Sequence, residues 1–362
     1  MSRFRTAFTL TLVALLAAAA GAKVPESAFT KDPYPAEDGP IQVFILAGQS
    51  NMEGRGSLRN LEYLIYNEET APDYEHLKDM KGRWVPRNDV WVWTTNGERA
   101  GNLVPGFGVD EWKFGPELGF GWTVGEQLKN QVLLIKTCWG GKSVKRDFLS
   151  PSSPMPPEEI LKKELEQARK KKPETTLDDV KARYGFYYRK TIEHTKDVLG
   201  RLKDLFPNGK RKDYAYELAG LVFFQGWNDM CDGSQRSEGY AQFAPRLANM
   251  VRDVRKDLGA PTLPVIIGEL GAGGPDAHPE FSAAQKKAAD MLPRTAFVPT
   301  AQFWEPEVEK MVSEGVWKGP EWPRFYNVGS DKGYHYLGSG KIMYRMGQAF
   351  GKGMLEQMEV KQ

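Results

Sequence analysis

Six short apolar runs, at 41–47, 90–93, 132–137, 218–224, 263–270 and 296–299, punctuate this sequence. They are rich in Val, Ile, Leu and Phe, and most are apolar at successive rather than alternate positions. Alternation marks a strand with one face in water. Continuous apolarity marks a strand buried on both faces, as in a parallel sheet covered by helices. Helical spacing fills the intervals. The strongest pattern covers 177–206, where Leu177, Val180, Tyr184, Tyr188, Ile192, Thr195, Leu199, Leu202 and Phe206 recur every three or four residues. Strands alternating with helices predict an α/β fold with a central, mostly parallel sheet.

Two stretches exceed a minimal α/β unit and read as insertions. One covers about 54–125 and is dense in Trp, Gly and Pro; the other covers about 146–216. The second holds the charged run 158–172 (EEILKKELEQARKKK), which reads as a solvated helix ended by Pro173. The N-terminus reads as an address. Arg3 and Arg5 precede an apolar run from Phe8 to Ala20, and Ala20-Gly21-Ala22 supplies a small-x-small cleavage pattern. The run is short of the roughly 20 apolar residues that span a bilayer. We therefore expect a signal peptide over 1–22, a single domain over 23–362, and a secreted or periplasmic protein with no membrane association after cleavage.

Setting Arg3 and Arg5 aside, basic and acidic residues balance at 47 each. A neutral body gives no bulk-charge reason to bind nucleic acid or an anionic membrane. Two cysteines, Cys138 and Cys231, exclude a disulfide scaffold and a multi-cysteine zinc module. Both lie just beyond strand ends, so an exported chain offers two options, a bridge between them or two free thiols. Neither His-x-x-x-His nor Cys-x-x-Cys occurs, and no metal or organic cofactor is expected.

Chemistry-bearing residues gather where strands end. The first run leads into Gly48-Gln49-Ser50-Asn51-Met52, which places Ser50 at the carboxyl edge of the sheet. Alone, Ser50 is equally well read as a helix N-cap. The third run leads into Cys138-Trp139-Gly140-Gly141-Lys142-Ser143, and the fourth into Gln225-Gly226-Trp227-Asn228-Asp229. Near the C-terminus stands Asp331-Lys332-Gly333-Tyr334-His335. Hydrolysis by serine needs a nucleophile, a base and donors aimed at an oxyanion. Ser50 and His335 supply the first two; the N–H groups of Ser50 and Gly141 and the Gln225 amide are candidate donors.

These blocks in this order resemble the SGNH-hydrolase superfamily, and within it the sialate O-acetylesterase-like branch, carbohydrate esterase family 6. Gly115-Pro116-Glu117-Leu118 resembles a further segment of that branch. The resemblance implies a three-layer α/β/α sandwich of flavodoxin type, here decorated by insertions, usually with five parallel strands. It also implies removal of O-acetyl groups from a carbohydrate ester without a cofactor. Two positions depart from the branch: Trp227 replaces a frequent glutamate, and Asp331 lies four rather than three residues before His335. The acid that orients His335 is therefore Asp331, Asp229 or neither, a backbone carbonyl serving in the last case. Trp139, Trp227 and Asn228 are candidate substrate contacts, and for the two tryptophans support of the motif is an equal reading. The rival functions are a carbohydrate-binding protein without turnover and an esterase or lipase for non-sugar esters.

Overall fold

The computed structural model describes residues 34–207 and 213–359; the leader expected over 1–22 lies outside them. Seven strands share one sheet: β1 (Glu37–Gly48), β2 (Arg87–Thr94), β3 (Arg99–Leu103), β4 (Asn130–Cys138), β5 (Tyr216–Phe224), β6 (Val265–Gly268) and β7 (Thr295–Val298). Their order is β3-β2-β4-β1-β5-β6-β7. All neighbours run parallel except β2 and β3, which are antiparallel. Each of the six apolar runs contains or overlaps a strand, although the run at 263–270 is strand only over Val265–Gly268. The seventh strand, β3, is polar (RAGNL) and half exposed, and forms an edge.

Helices cover both faces. Ile41 and Val43 of β1 and Leu133 and Ile135 of β4 pack with Val198 of the helix Phe186–Gly200. On the opposite face Phe44 meets Phe120, ring centroids 5.2 Å apart, on the helix Glu117–Gln127. The C-terminal helix Gly340–Met358 lies on this face too, where Met354 reaches Gly220 of β5. The result is a three-layer α/β/α arrangement. Among the described residues no helix is long and apolar enough to cross a membrane.

The 177–206 pattern, expected as one helix, is three: Leu177–Arg183, Phe186–Gly200 and Leu202–Leu205. Gly185 makes the first break. Its φ is +67°, and a Cβ there would stand 2.2 Å from the carbonyl oxygen of Leu149. Side-chain periodicity continues through such a corner, which is why the sequence reads as unbroken. The charged run is the helix Glu158–Arg169, with Leu161 as its buried residue.

Among the described residues one ion pair has both side chains at 0% exposure. Lys136 of β4 and Glu117, first residue of its helix, are both 0% exposed and meet at 2.7 Å. Lys136 Nζ also donates to the backbone carbonyls of Phe107 at 2.7 Å and Glu53 at 3.0 Å. Three ammonium hydrogens thus meet three acceptors. The second oxygen of Glu117 accepts from the N–H of Gly115 at 2.9 Å. Removing one partner of such a pair strands a buried charge, typically at a cost of about 3–5 kcal/mol. Lys136→Met should show a loss of that size in denaturant unfolding, and adding Glu117→Gln should restore part of it. A single variant as stable as the parent would contradict this account.

Candidate active site

The carboxyl ends of β1, β4 and β5 converge on Ser50. Gly48 ends β1 with a φ of +155°, and a Cβ there would lie 2.1 Å from the carbonyl oxygen of Phe224, the last residue of β5. Glycine is required for the two strand ends to come so close. Ser50 follows as the first residue of the single-turn helix Ser50–Glu53 and is 5% exposed. At that position a backbone N–H has no acceptor within the helix.

His335 reaches this serine from the far end of the chain. Its Nε2 lies 3.0 Å from Ser50 Oγ, and its Nδ1 lies 2.9 Å from Asp331 Oδ2. An ionised carboxylate only accepts, so the proton resides on Nδ1 and the Nε2 lone pair faces the serine hydroxyl. The chain turns back between Asp331 and His335, where the His335 N–H donates to the carbonyl of Lys332 at 3.0 Å, and this brings the two side chains together. Burial alone would raise the Asp331 carboxyl. The hydrogen bonds from His335 and from the Lys332 N–H, with the charges of His335 and Arg55, outweigh burial and hold it below the usual carboxylate range.

The loop carrying His335 is pinned from several sides. Tyr336, Leu337 and Gly338 take left-handed φ values of 51°, 62° and 61°, a conformation that persists in non-glycine residues only when the surroundings impose it. Tyr336 is fully buried; its hydroxyl accepts from Gly271 N at 2.7 Å and lies 2.9 Å from Thr300 Oγ1. Lys113 Nζ donates to Ser330 Oγ at 2.7 Å, and that hydroxyl donates to the carbonyl of Gly338 at 3.1 Å. Asn51, next to the serine, donates from Nδ2 to the carbonyl of Tyr334 at 3.2 Å, joining the serine turn to the histidine loop.

Asp229 does not meet His335. Its fully buried carboxylate accepts from the N–H groups of Val144 at 2.7 Å and Lys145 at 3.0 Å, and from Gln235 Nε2 at 3.1 Å. Burial pushes this carboxyl up against the pull of those donors. Asp229 thus shapes the loop after β4 that carries Gly141. The expectation of Gln225 as an oxyanion donor needs correction. Its Nε2 donates to Gln49 Oε1 at 2.8 Å and to the carbonyl of Lys142, so both amide hydrogens are engaged inside the protein. Gln225 braces two loops. Gly141, by contrast, is exposed with its N–H unpartnered, and a Cβ on neighbouring Gly140 would lie 3.8 Å from Ser50 Cβ.

The aromatic candidates separate. Trp227 packs on Tyr334 at 5.7 Å, and Tyr334 packs edge-on against His335 at 4.4 Å, so Trp227 borders the site. Trp139 turns to Tyr187, Phe148 and His194, with centroids 5.0–6.5 Å away, and supports the loop. Asn228 is half-buried on the short helix Trp227–Met230. Of the two options for the cysteines, the structure shows two free thiols: Cys138 is 1% exposed in the core, whereas Cys231 is exposed beyond that short helix. Among the described residues no group of three His, Cys, Asp or Glu side chains is placed to hold a metal ion.

Sequence reasoning missed Tyr336, Gln49 and Lys113, whose partners Gly271, Gln225 and Ser330 are distant in sequence. Tyr336→Phe should leave the buried Gly271 N–H without its acceptor, a loss of about 1–3 kcal/mol. Denaturant unfolding measures it, and unchanged stability would show that the hydroxyl does not anchor the loop.

No curated protein matches this chain. Among solved structures, a protein from Arabidopsis thaliana superposes with a TM-score of 0.50 at 16% identity, covering 88% of this chain and 99% of that one. A carbohydrate acetylesterase from Xanthomonas citri gives 0.42 at 12% identity, over 87% of this chain and 56% of that one. NanS gives 0.48 at 15% identity, over 89% and 98%. The family model for carbohydrate esterases described as sialic acid-specific acetylesterases matches residues 40–307. That span is well over half of the 362 residues, includes every strand of the sheet but the first few residues of β1, and makes the chain a member of this carbohydrate esterase family.

Proposed function

We propose that the chain is a serine esterase that removes O-acetyl groups from a carbohydrate, with Ser50 as nucleophile, His335 as base and Asp331 as the orienting acid. The observation that carries this reading is the continuous line from Asp331 Oδ2 through the His335 ring to Ser50 Oγ, at 2.9 and 3.0 Å. His335 Nε2 takes the hydroxyl proton as Oγ attacks the ester carbonyl, and Asp331 stabilises the imidazolium that forms. The oxyanion develops where the N–H groups of Ser50 and Gly141 are open. His335 then gives its proton to the departing sugar hydroxyl. Water, deprotonated by the same ring, attacks the acetyl-enzyme and releases acetate.

Trp227, beside Tyr334 and His335, forms one wall for the sugar; the half-buried Asn228 adjoins it. A binding protein without turnover would not need an imidazole held in one tautomer against a serine hydroxyl. The leader at 1–22 fits export, so the mature chain should begin at Lys23. N-terminal sequencing of the exported protein reads this directly, and an intact Met1 would refute it.

Ser50→Ala should abolish hydrolysis of p-nitrophenyl acetate while the circular dichroism spectrum stays that of the parent. General-base assistance typically contributes about 10²–10⁴-fold, so Asp331→Asn should lower kcat within that range. It should do more damage than Asp229→Asn, which alters a loop rather than the proton path. Full turnover by Ser50→Ala, or the reverse ranking of the two aspartates, would reject the assignment concerned.

A further inference from the structure

The second insertion, left without a task by the fold and by the proposed triad, walls a cleft that begins at Gly141, next in sequence to the Gly140 that approaches Ser50. The cleft has a volume of ≈ 530 Å³ and lies between the loop after β4 and the segment from Leu177 to Tyr187. That is the size range of small-molecule sites, about 300–1,000 Å³. Its near end is Gly141. Its walls include Lys142, Arg183, Phe186 and Tyr187.

The chemistry of these walls is specific. Lys142 sets its ammonium 4.5 Å from the centre of the Tyr187 ring. Neither Lys142 nor Arg183 makes a salt bridge in the described structure. The two carboxylates in the cleft are already engaged. Asp147 Oδ2 accepts from the backbone N–H and hydroxyl of Ser143, at 2.9 and 3.1 Å. Asp179 Oδ2 accepts from the N–H and hydroxyl of Thr176, at 2.8 and 2.7 Å, and feels the Arg183 charge only through space. The third cation, Arg146, is paired with Glu164 at 3.1 Å. Phe186 is 42% exposed, with the Lys190 ammonium 6.0 Å from its ring centre and the Tyr187 ring edge-on at 5.1 Å. Two cations without a carboxylate partner and a part-exposed aromatic ring together suit a ring that has apolar C–H faces and carries a negative charge.

We propose that this cleft is a second sugar position, which holds an anionic sugar unit linked to the acetylated one. The substrate is then an acidic oligosaccharide or polysaccharide rather than a lone acetylated sugar. The proposal rests on the reading of Ser50 as nucleophile, because only then does Gly141 mark the junction between the two positions. The Gln225 amide holds the carbonyl of Lys142, so the backbone bearing the cation and the oxyanion N–H is one braced segment. Phe186 stacks on the sugar face while Lys142 and Arg183 meet its carboxylate or sulfate.

Binding without turnover isolates the test. Ser50→Ala protein is titrated calorimetrically with trigalacturonate, with the neutral galactotriose, and with a sulfated galactotriose. Trigalacturonate should bind about tenfold tighter than galactotriose, the equivalent of ~1.4 kcal/mol. The preference should shrink as salt rises. Lys142→Met and Arg183→Ala, both near the surface and checked for an unchanged melting temperature, should each remove most of it. Phe186→Ala should weaken binding of both sugars. Preference for the sulfated sugar over trigalacturonate would identify sulfate as the charge recognised. Equal affinity for charged and neutral sugars, a preference untouched by removing the cations, or no binding of any of the three at millimolar concentration would overturn the proposal. Loss of p-nitrophenyl acetate turnover from wild type to Ser50→Ala tests the Ser50 reading separately, since that ester is too small to occupy the cleft.

Discussion

A lysine and a glutamate with no access to water sit beneath the serine turn, and they join four parts of the chain. Lys136 belongs to a central strand, Glu117 to the start of a helix, and the two carbonyls that complete the ammonium's shell come from Phe107 and Glu53. Glu53 closes the helical turn that begins at Ser50. A buried charge tolerates no loose geometry, because every unmade hydrogen bond is lost in a medium that cannot replace it. The negative end of the pair also lies at a helix N-terminus, where the backbone dipole favours it. The turn that presents Ser50 therefore rests on a support that cannot slide without exposing an uncompensated charge.

Three carboxylates around the site show how environment divides labour among like groups. Glu117 neutralises a lysine. Asp229 collects backbone N–H groups and fixes the shape of a loop. Asp331 is the one that a histidine ring meets, and it keeps part of its surface towards solvent. Charge alone does not distinguish them; what distinguishes them is which donors the fold brings within 3 Å.

Much of the architecture was legible because burial on both faces leaves a mark in the residues themselves. All six apolar runs overlap strands, and the serine, histidine and aspartate that stand in line occur in blocks recognisable by composition and order. The family match over residues 40–307 agrees with that likeness. What escaped the sequence has a common cause. β3 is polar because an edge strand needs no apolar partner on its outer side. The break at Gly185 depends on a carbonyl from Leu149, thirty-odd residues away. The engagement of Gln225 depends on Gln49 and on the carbonyl of Lys142, which no local pattern announces. Donors that look free in one dimension are taken up in three.

The serine and the histidine it faces are separated by 285 positions along the chain. Contacts of such long range carry the largest loop-closure cost, and a growing chain can make this one only after residue 335 has been added. Up to the moment when the segment around His335 docks, the polypeptide holds a serine hydroxyl with no base beside it. Under the triad reading, a nascent or truncated chain without the His335 segment lacks the base that its serine needs, and activity appears only once that segment has docked. Recovery of turnover would then report the docking of that one segment, which the return of helix signal or of core fluorescence does not single out.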